Sequence, residues 1–278
     1  MPELPEVEVV RSGLERHVVG ATLDRVEVLH PRPVRRDPRG PTGFAAALTG
    51  RRVVAVRRRG KYFWLALDNG DALLGHLGMS GQMLVQPSDA PDDRHLRVRF
   101  ALGGKPYAGT ELRFADQRMF GGLMVSAGGA DLPLEIAHIA RDPLDPEFDV
   151  DAFVRRVRKR SSGIKRQLLD QTSVSGVGNI YADEALWRAR IHPARRTVTR
   201  AQAAALLDAL RDVLAGSIRY GGTTLSDYRT VEGREGRNQQ RLDVYGQAGL
   251  PCPRCGTELR SRTLDGRTAT WCPTCQPR

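Results

Sequence analysis

Acidic residues are in short supply in this chain. Over 278 residues, 32 Asp and Glu face 43 Lys and Arg, a formal net charge of +11. Such a surplus suits a polyanionic partner, most simply nucleic acid, although an anionic membrane surface attracts it for the same reason. Long apolar runs are also missing: none approaches the ~18 residues that read as a membrane-spanning helix. The N-terminus is acidic and has no basic stretch followed by an apolar one, so it does not read as a secretory signal, and a cytoplasmic location is expected. Cysteine is scarce, with four residues, and in a reducing compartment these point to metal rather than to disulfides. Internal repeats and low-complexity tracts are absent.

What is present begins with Met1-Pro2-Glu3-Leu4-Pro5-Glu6-Val7-Glu8. Removal of Met1 leaves Pro2 as a free secondary amine, able to attack a sugar C1′ or an aldehyde and form an iminium. α-Amino groups titrate near ~8, so an unprotonated fraction exists at neutral pH. Glu3 is close enough in sequence to act as its acid/base partner. The same octet also reads as a capped entry into a first helix, because Pro and Glu both suit a first turn.

Leu4, Val7, Val10, Leu14 and Val18 recur at helical spacing and predict a helix over 3–18. From about 22 to 126 short β-rich runs alternate with Gly, Pro and Asp, among them 52–56, 62–67 and 95–100. Many short strands between turn signals predict a sandwich or barrel. The stretch 127–149 is loop-like, with Gly128-Gly129 and Asp142-Pro143-Leu144-Asp145-Pro146, and marks a domain boundary. Residues 150–220 read as helices. The clearest starts at Thr199, whose spacing to Gln202 fits a capping box, and its stripe is Ala203, Leu206, Leu207, Leu210, Val213, Leu214 and Ile218. A loop over roughly 223–241 follows.

The last 30 residues are too few to bury a core without a staple. Cys252-x2-Cys255 and Cys272-x2-Cys275 are separated by residues 256–271. Two thiolate pairs at that spacing suit a closed tetrahedral Zn²⁺ site, structural because four sulfurs leave no open position. Arg260, Arg262 and Arg267 lie between the pairs and suit phosphates. Two further basic runs, Arg51–Lys61 with six cations and Arg155–Arg166 with seven, contain no acid. Either alone reads as a solvated face; together with the cationic hairpin they predict a distributed DNA-binding surface. In 173–182 two glycines precede Asn179, and backbone N–H groups in such a turn suit a phosphate. His76-Leu77-Gly78-Met79-Ser80-Gly81 and Asp116-Gln117-Arg118-Met119-Phe120-Gly121 place apolar residues and a cation in turns, as candidate wedges for a duplex.

Taken together, the opening octet, Gly60-Lys61-Tyr62, the His76–Gly81 turn, Gly176-Val177-Gly178-Asn179-Ile180-Tyr181-Ala182, Gly221-Gly222-Thr223-Thr224-Leu225 and the four cysteines resemble the formamidopyrimidine-DNA glycosylase family of bacterial base-excision repair enzymes. The resemblance covers essentially the whole chain. Leu4 stands where relatives of endonuclease VIII type usually carry Gly, which favours the oxidised-purine branch.

The resemblance implies an α+β multidomain fold: an N-terminal helix plus β-sandwich (1–134), a helix–two-turn–helix domain (135–248) and a C-terminal zinc-finger β-hairpin (249–278). Duplex DNA carrying oxidised bases or abasic sites would be the partner, one structural Zn²⁺ the cofactor, and a monomer the working form. The implied nucleophile is Pro2, with Glu3 as general acid, Lys61 at the phosphate beside the lesion and as proton donor, and Arg267 assisting δ-elimination. His95, Arg118, Lys165 and Asn179 would contact DNA. Met79, Arg118 and Phe120 would fill the hole left by the extruded base, and Glu6 would line the base pocket. Two departures from the family pattern stand out. Gln117 and Met119 flank Arg118 where the family has Pro and a second Arg, which implies a weaker backbone grip. Arg237-Asn238-Gln239-Gln240 replaces an aromatic pair in the base-capping loop, which bears on recognition of 8-oxoguanine. The alternatives are a glycosylase for oxidised pyrimidines and a non-catalytic zinc-dependent damaged-DNA-binding protein.

Overall fold

A computed structural model describes residues 1–159 and 161–278; Arg160, inside the basic run 155–166, lies outside the described residues. The chain forms two compact units, Met1–His138 with Gly221–Arg237, and Ile139–Tyr220 with Asn238–Arg278.

In the first unit, helix α1 (Leu4–Val18) buries the whole stripe of Leu4, Val7, Val10, Leu14 and Val18. Eight strands follow: β1 (Thr22–Val28), β2 (Val53–Arg59), β3 (Tyr62–Leu67), β4 (Ala72–His76), β5 (Gly81–Pro87), β6 (Leu96–Gly103), β7 (Thr110–Asp116) and β8 (Gly122–Ser126). They make two antiparallel four-stranded sheets, ordered β1-β6-β7-β5 and β2-β3-β4-β8. β6 shows the period-two logic of a half-buried strand, with Leu96, Val98, Phe100 and Leu102 inside. Phe63 and Leu65 from one sheet join Phe100, Leu112 and Phe114 from the other, with Val7, Val10 and Leu14 of α1, in one core. This is the expected helix-plus-sandwich.

Between β1 and β2 the β-rich stretch 22–126 is interrupted by a short 3-10 turn (Arg32–Val34) and by a helix. Helix α2 (Gly40–Leu48) has Pro41 in its first turn and buries Phe44 and Leu48 completely. A single apolar pair four residues apart is too short a pattern to reveal a helix in sequence.

Gly221–Arg237 closes the unit. The Val231 carbonyl accepts from the Val85 amide at 2.8 Å, and the Gln82 side-chain amide donates to the Asp227 carbonyl at 2.6 Å. Val231 also lies so close to α1 that a Cβ on Gly13 would meet its Cγ2 at 2.4 Å.

The second unit contains α3 (Val150–Lys159), α4 (Ile164–Leu169), α5 (Asn179–Arg188), α6 (Arg200–Arg219) and the antiparallel hairpin β9 (Arg260–Leu264) and β10 (Arg267–Trp271). The capping box forms: Gln202 N donates to Thr199 Oγ1 at 3.1 Å and Thr199 N donates to Gln202 Oε1 at 3.0 Å. The α6 stripe is buried as expected, except that Ile218 is half-buried. Its neighbour Ser217 is buried instead and pairs with the Tyr181 hydroxyl at 2.6 Å.

Candidate functional site

The start of α1 is fixed from both sides. Glu6, 1% exposed, accepts from the Glu3 amide at 2.8 Å through one carboxylate oxygen and from the Thr223 amide at 2.7 Å through the other. Glu6 thereby ties the residue after Pro2 to the turn at Gly221-Gly222. That close approach needs glycine: Gly222 has φ +84°, and a Cβ there would meet Tyr228 at 2.9 Å and Glu6 at 3.1 Å. Pro2 is buried just ahead of the helix, and Glu3 and Lys61 are also withdrawn from water, Lys61 being 7% exposed.

Lys61 sits in the tight β2–β3 turn, where Gly60 takes φ +57°. His76, across the sheet from Tyr62 in register, has its ring 4.7 Å from the tyrosine ring. Its Nδ1 accepts from the Gly78 amide at 3.0 Å, which leaves the proton on Nε2. Enclosure, then the charges of Lys61 and Arg36, lower its pKa to about 4, so it stays a neutral imidazole. The His76–Gly81 motif assigns His76 no role in the sequence alone, because its place opposite Tyr62, one residue after Lys61, exists only in the folded sheet.

The two candidate wedge turns meet. Met79 is 36% exposed and Phe120 51%, large apolar side chains left in solvent at loop tips. The exposed Arg118 guanidinium lies 5.4 Å from the Phe120 ring. Between the turns the backbones touch: a Cβ on Gly78 would meet Gly121 N at 2.4 Å and Phe120 C at 2.5 Å. His95 adjoins the same place. Its ring stands between the guanidinium groups of Arg94, at 2.9 Å, and Arg97, at 3.2 Å, and its carbonyl accepts from the Asp116 amide at 2.9 Å.

In the second unit Asn179 is the first residue of α5, directly after the glycine turn, and its side-chain amide donates to the Thr268 carbonyl at 3.0 Å. Lys165 donates to that carbonyl too, at 2.7 Å, and to Asp183 at 2.6 Å. Asp183 in turn accepts from the Thr270 amide at 3.0 Å. At 3% exposure the Lys165 ammonium is committed to this network. Arg267, one residue from the doubly bonded Thr268 carbonyl, is exposed, as are Arg260 and Arg262.

The four cysteine sulfurs lie within 4.8 Å of one another, Cys255 and Cys272 at 3.5 Å. A Zn²⁺ with Zn–S bonds of about 2.3 Å in a tetrahedron sets its sulfurs roughly 3.8 Å apart, so the cage fits the ion. Donors face the sulfurs as thiolates require: Trp187 Nε1 reaches Cys252 Sγ at 3.4 Å and Cys275 N reaches Cys272 Sγ at 3.3 Å. Cys252, Cys255, Cys272 and Cys275 hold one structural Zn²⁺.

A buried proline ahead of the first helix of a β-sandwich, a helical unit with a glycine turn, and a cationic four-thiolate hairpin are the parts of a zinc-finger DNA-binding protein. The chain belongs to the formamidopyrimidine-DNA glycosylase family: the models for the formamidopyrimidine-DNA glycosylase N-terminal domain, its H2TH domain, and the zinc finger found in FPG and IleRS match residues 1–123, 139–229 and 249–278. Formamidopyrimidine-DNA glycosylase of Nocardioides sp. is 67% identical over 280 residues, covering 100% of this chain and 95% of the relative. That of Salinispora arenicola is 58% identical, with 100% and 97% covered. Among solved structures, wild-type Lactococcus lactis FPG in complex with an oxidised-pyrimidine-containing DNA has TM-score 0.89 at 35% identity, with both chains fully covered. A point mutant of the Lactococcus lactis protein, in complex with a Fapy-dG-containing DNA, has TM-score 0.88 at 33% identity, again with full coverage of both chains.

Proposed function

We propose that the chain excises oxidised purines, 8-oxoguanine and formamidopyrimidines, from duplex DNA and cleaves the resulting abasic site by β,δ-elimination through a Pro2 Schiff base. The observation that carries this reading is the anchoring of Glu3 by Glu6, which holds Pro2 in a fixed place in the unit that also carries Lys61.

A base stacked in a duplex does not present C1′ to an amine, so the nucleotide is extruded at a cost of a few kcal/mol. Met79, Arg118 and Phe120 fill the gap, and contacts available only on kinked DNA offset the cost. The Pro2 nitrogen, freed of Met1, then attacks C1′ and the base departs. Glu3 delivers a proton to the sugar-ring oxygen, the ring opens, and an iminium joins Pro2 to C1′. Loss of a C2′ proton expels the 3′ phosphate, which Lys61 neutralises and protonates. A second elimination, assisted by Arg267, expels the 5′ phosphate. Asn179 and His95 hold backbone around the lesion, and Lys165 contributes by fixing the hairpin. In modular terms, 1–134 supplies the chemistry, 135–248 the backbone grip and 249–278 the second clamp. The enzyme acts as a monomer in the bacterial cytoplasm, nucleoid-associated through its DNA binding; among the described residues no helix is long and apolar enough to cross a membrane.

Borohydride trapping on an 8-oxoguanine duplex tests the mechanism. Wild type is expected to form a covalent complex and Pro2→Gly to trap about tenfold less or worse; equal trapping by the variant removes Pro2 from the chemistry. An oxidised-pyrimidine preference is the second reading, favoured by the Lactococcus lactis complex with such DNA. Rates measured side by side on 8-oxoguanine and thymine-glycol duplexes separate the two, with the purine lesion expected to react faster.

A further inference from the structure

We propose that the buried Asp116 carboxylate locks the two wedge turns into one rigid tip, so that Met79, Arg118 and Phe120 enter the duplex as a unit. This rests on the glycosylase reading above and assigns positioning roles to Asp116 and Ser80, both of which are buried.

Asp116 ends β7 and is fully excluded from solvent. One of its carboxylate oxygens accepts from Ser80 Oγ at 2.6 Å, next to Met79; the other accepts from the Gly121 amide at 2.8 Å, next to Phe120. Ser80 Oγ in turn accepts from the Arg118 amide at 2.8 Å. The Asp116 main chain is engaged as well, its amide donating to the His95 carbonyl at 2.9 Å and its carbonyl accepting from Arg97 Nε at 3.1 Å. One residue is thus linked to positions at or beside all three wedge side chains, and to His95. Arg35 closes the far side by donating to the Gly121 carbonyl at 2.9 Å.

Packing makes the lock tight. Besides the Gly78 contact, a Cβ on Gly121 would meet the Phe114 ring at 2.8 Å and Asp116 Oδ2 at 2.9 Å. Because Asp116 is fully excluded from water, leaving either of its donors unpaired would cost more than the bond itself contributes. Loop backbone is therefore ordered at folding, and extrusion is not charged with ordering it afterwards. Only the exposed side chains of Met79, Arg118 and Phe120 remain to be placed.

Ser80→Ala removes both hydroxyl bonds without adding volume. Two single-turnover rates are read: excision of a lesion paired in a duplex, and strand cleavage at a preformed abasic site, where no base needs extruding. The lock predicts a loss of about tenfold or more in the first and less than about threefold in the second. Asp116→Asn, isosteric and retaining one acceptor, shows the same split should Ser80→Ala fold poorly. Combining Ser80→Ala with Phe120→Ala adds little to either single loss, because both disable one device. Excision at the wild-type rate, equal slowing of both reactions, or multiplying losses overturns the lock. Wild type that fails to trap on abasic DNA overturns the glycosylase reading instead; wild type that traps while Ser80→Ala matches it overturns only the lock.

Discussion

At the scale of single residues, the candidate site is built from ionisable groups whose partners fix both place and charge. Glu6 spends its two oxygens on the Glu3 and Thr223 amides, and His76 spends Nδ1 on the Gly78 amide. His76 carries a pH signature. Its folded pKa of about 4 lies below the ordinary 6.5, so the fold favours the neutral ring. That contribution is present above pH 6.5 and is lost as pH falls towards 4, where the ring must take up a proton beside Lys61. Wild type is expected to lose roughly 1–3 kcal/mol more stability than His76→Gln across that window, seen as a steeper fall in Tm. Parallel Tm curves for the two proteins would remove His76 as a source of acid sensitivity.

At the scale of elements, the hairpin is held at one end by four thiolates and at the other by Lys165, Asn179 and Asp183 on α4 and α5. Lys165→Met leaves the Asp183 carboxylate buried with the Thr270 amide, a loss of a partner that costs about 3–5 kcal/mol. Denaturant titration should show this cost, and adding Asp183→Leu should recover much of it. Sequence patterning revealed α1 and α6 because each carries a long apolar stripe, and α6 also a capping box, and local chemistry suffices for those. The cysteine spacing revealed the zinc hairpin in the same way. Patterning did not reveal α2, with its single pair Phe44 and Leu48, or the burial of Lys165. Lys165 belongs to a basic run, and nothing within that run shows that Asp183, on the next helix, will take its charge. The Pro2-Glu3 start reads as candidate chemistry in the sequence and Lys61 enters only through the family resemblance, whereas the brace between Glu6 and Thr223 joins residues 217 positions apart and depends on the fold.

At the scale of the whole molecule, zinc secures a short C-terminal segment whose core holds few residues, chiefly Trp187, Val244, Cys252, Leu259 and Cys272. Chelation is therefore expected to unfold the hairpin and abolish tight DNA binding, while the separate core of the β-sandwich keeps its cooperative melting transition. Calorimetry with and without a chelator, alongside DNA titration, checks both outcomes; loss of both transitions together would show that the sandwich also depends on the metal. The path of the chain carries a consequence for vectorial synthesis. The N-terminal unit is completed by Gly221–Arg237, which emerges from the ribosome only after α3, α4, α5 and α6 of the other unit. Until then α1 lacks the Val231 side chain that rests on Gly13, and Glu6 lacks Thr223. A nascent chain ending at His138 accordingly holds Pro2 ahead of an unbraced helix, so the seat of the proposed nucleophile is completed late in translation.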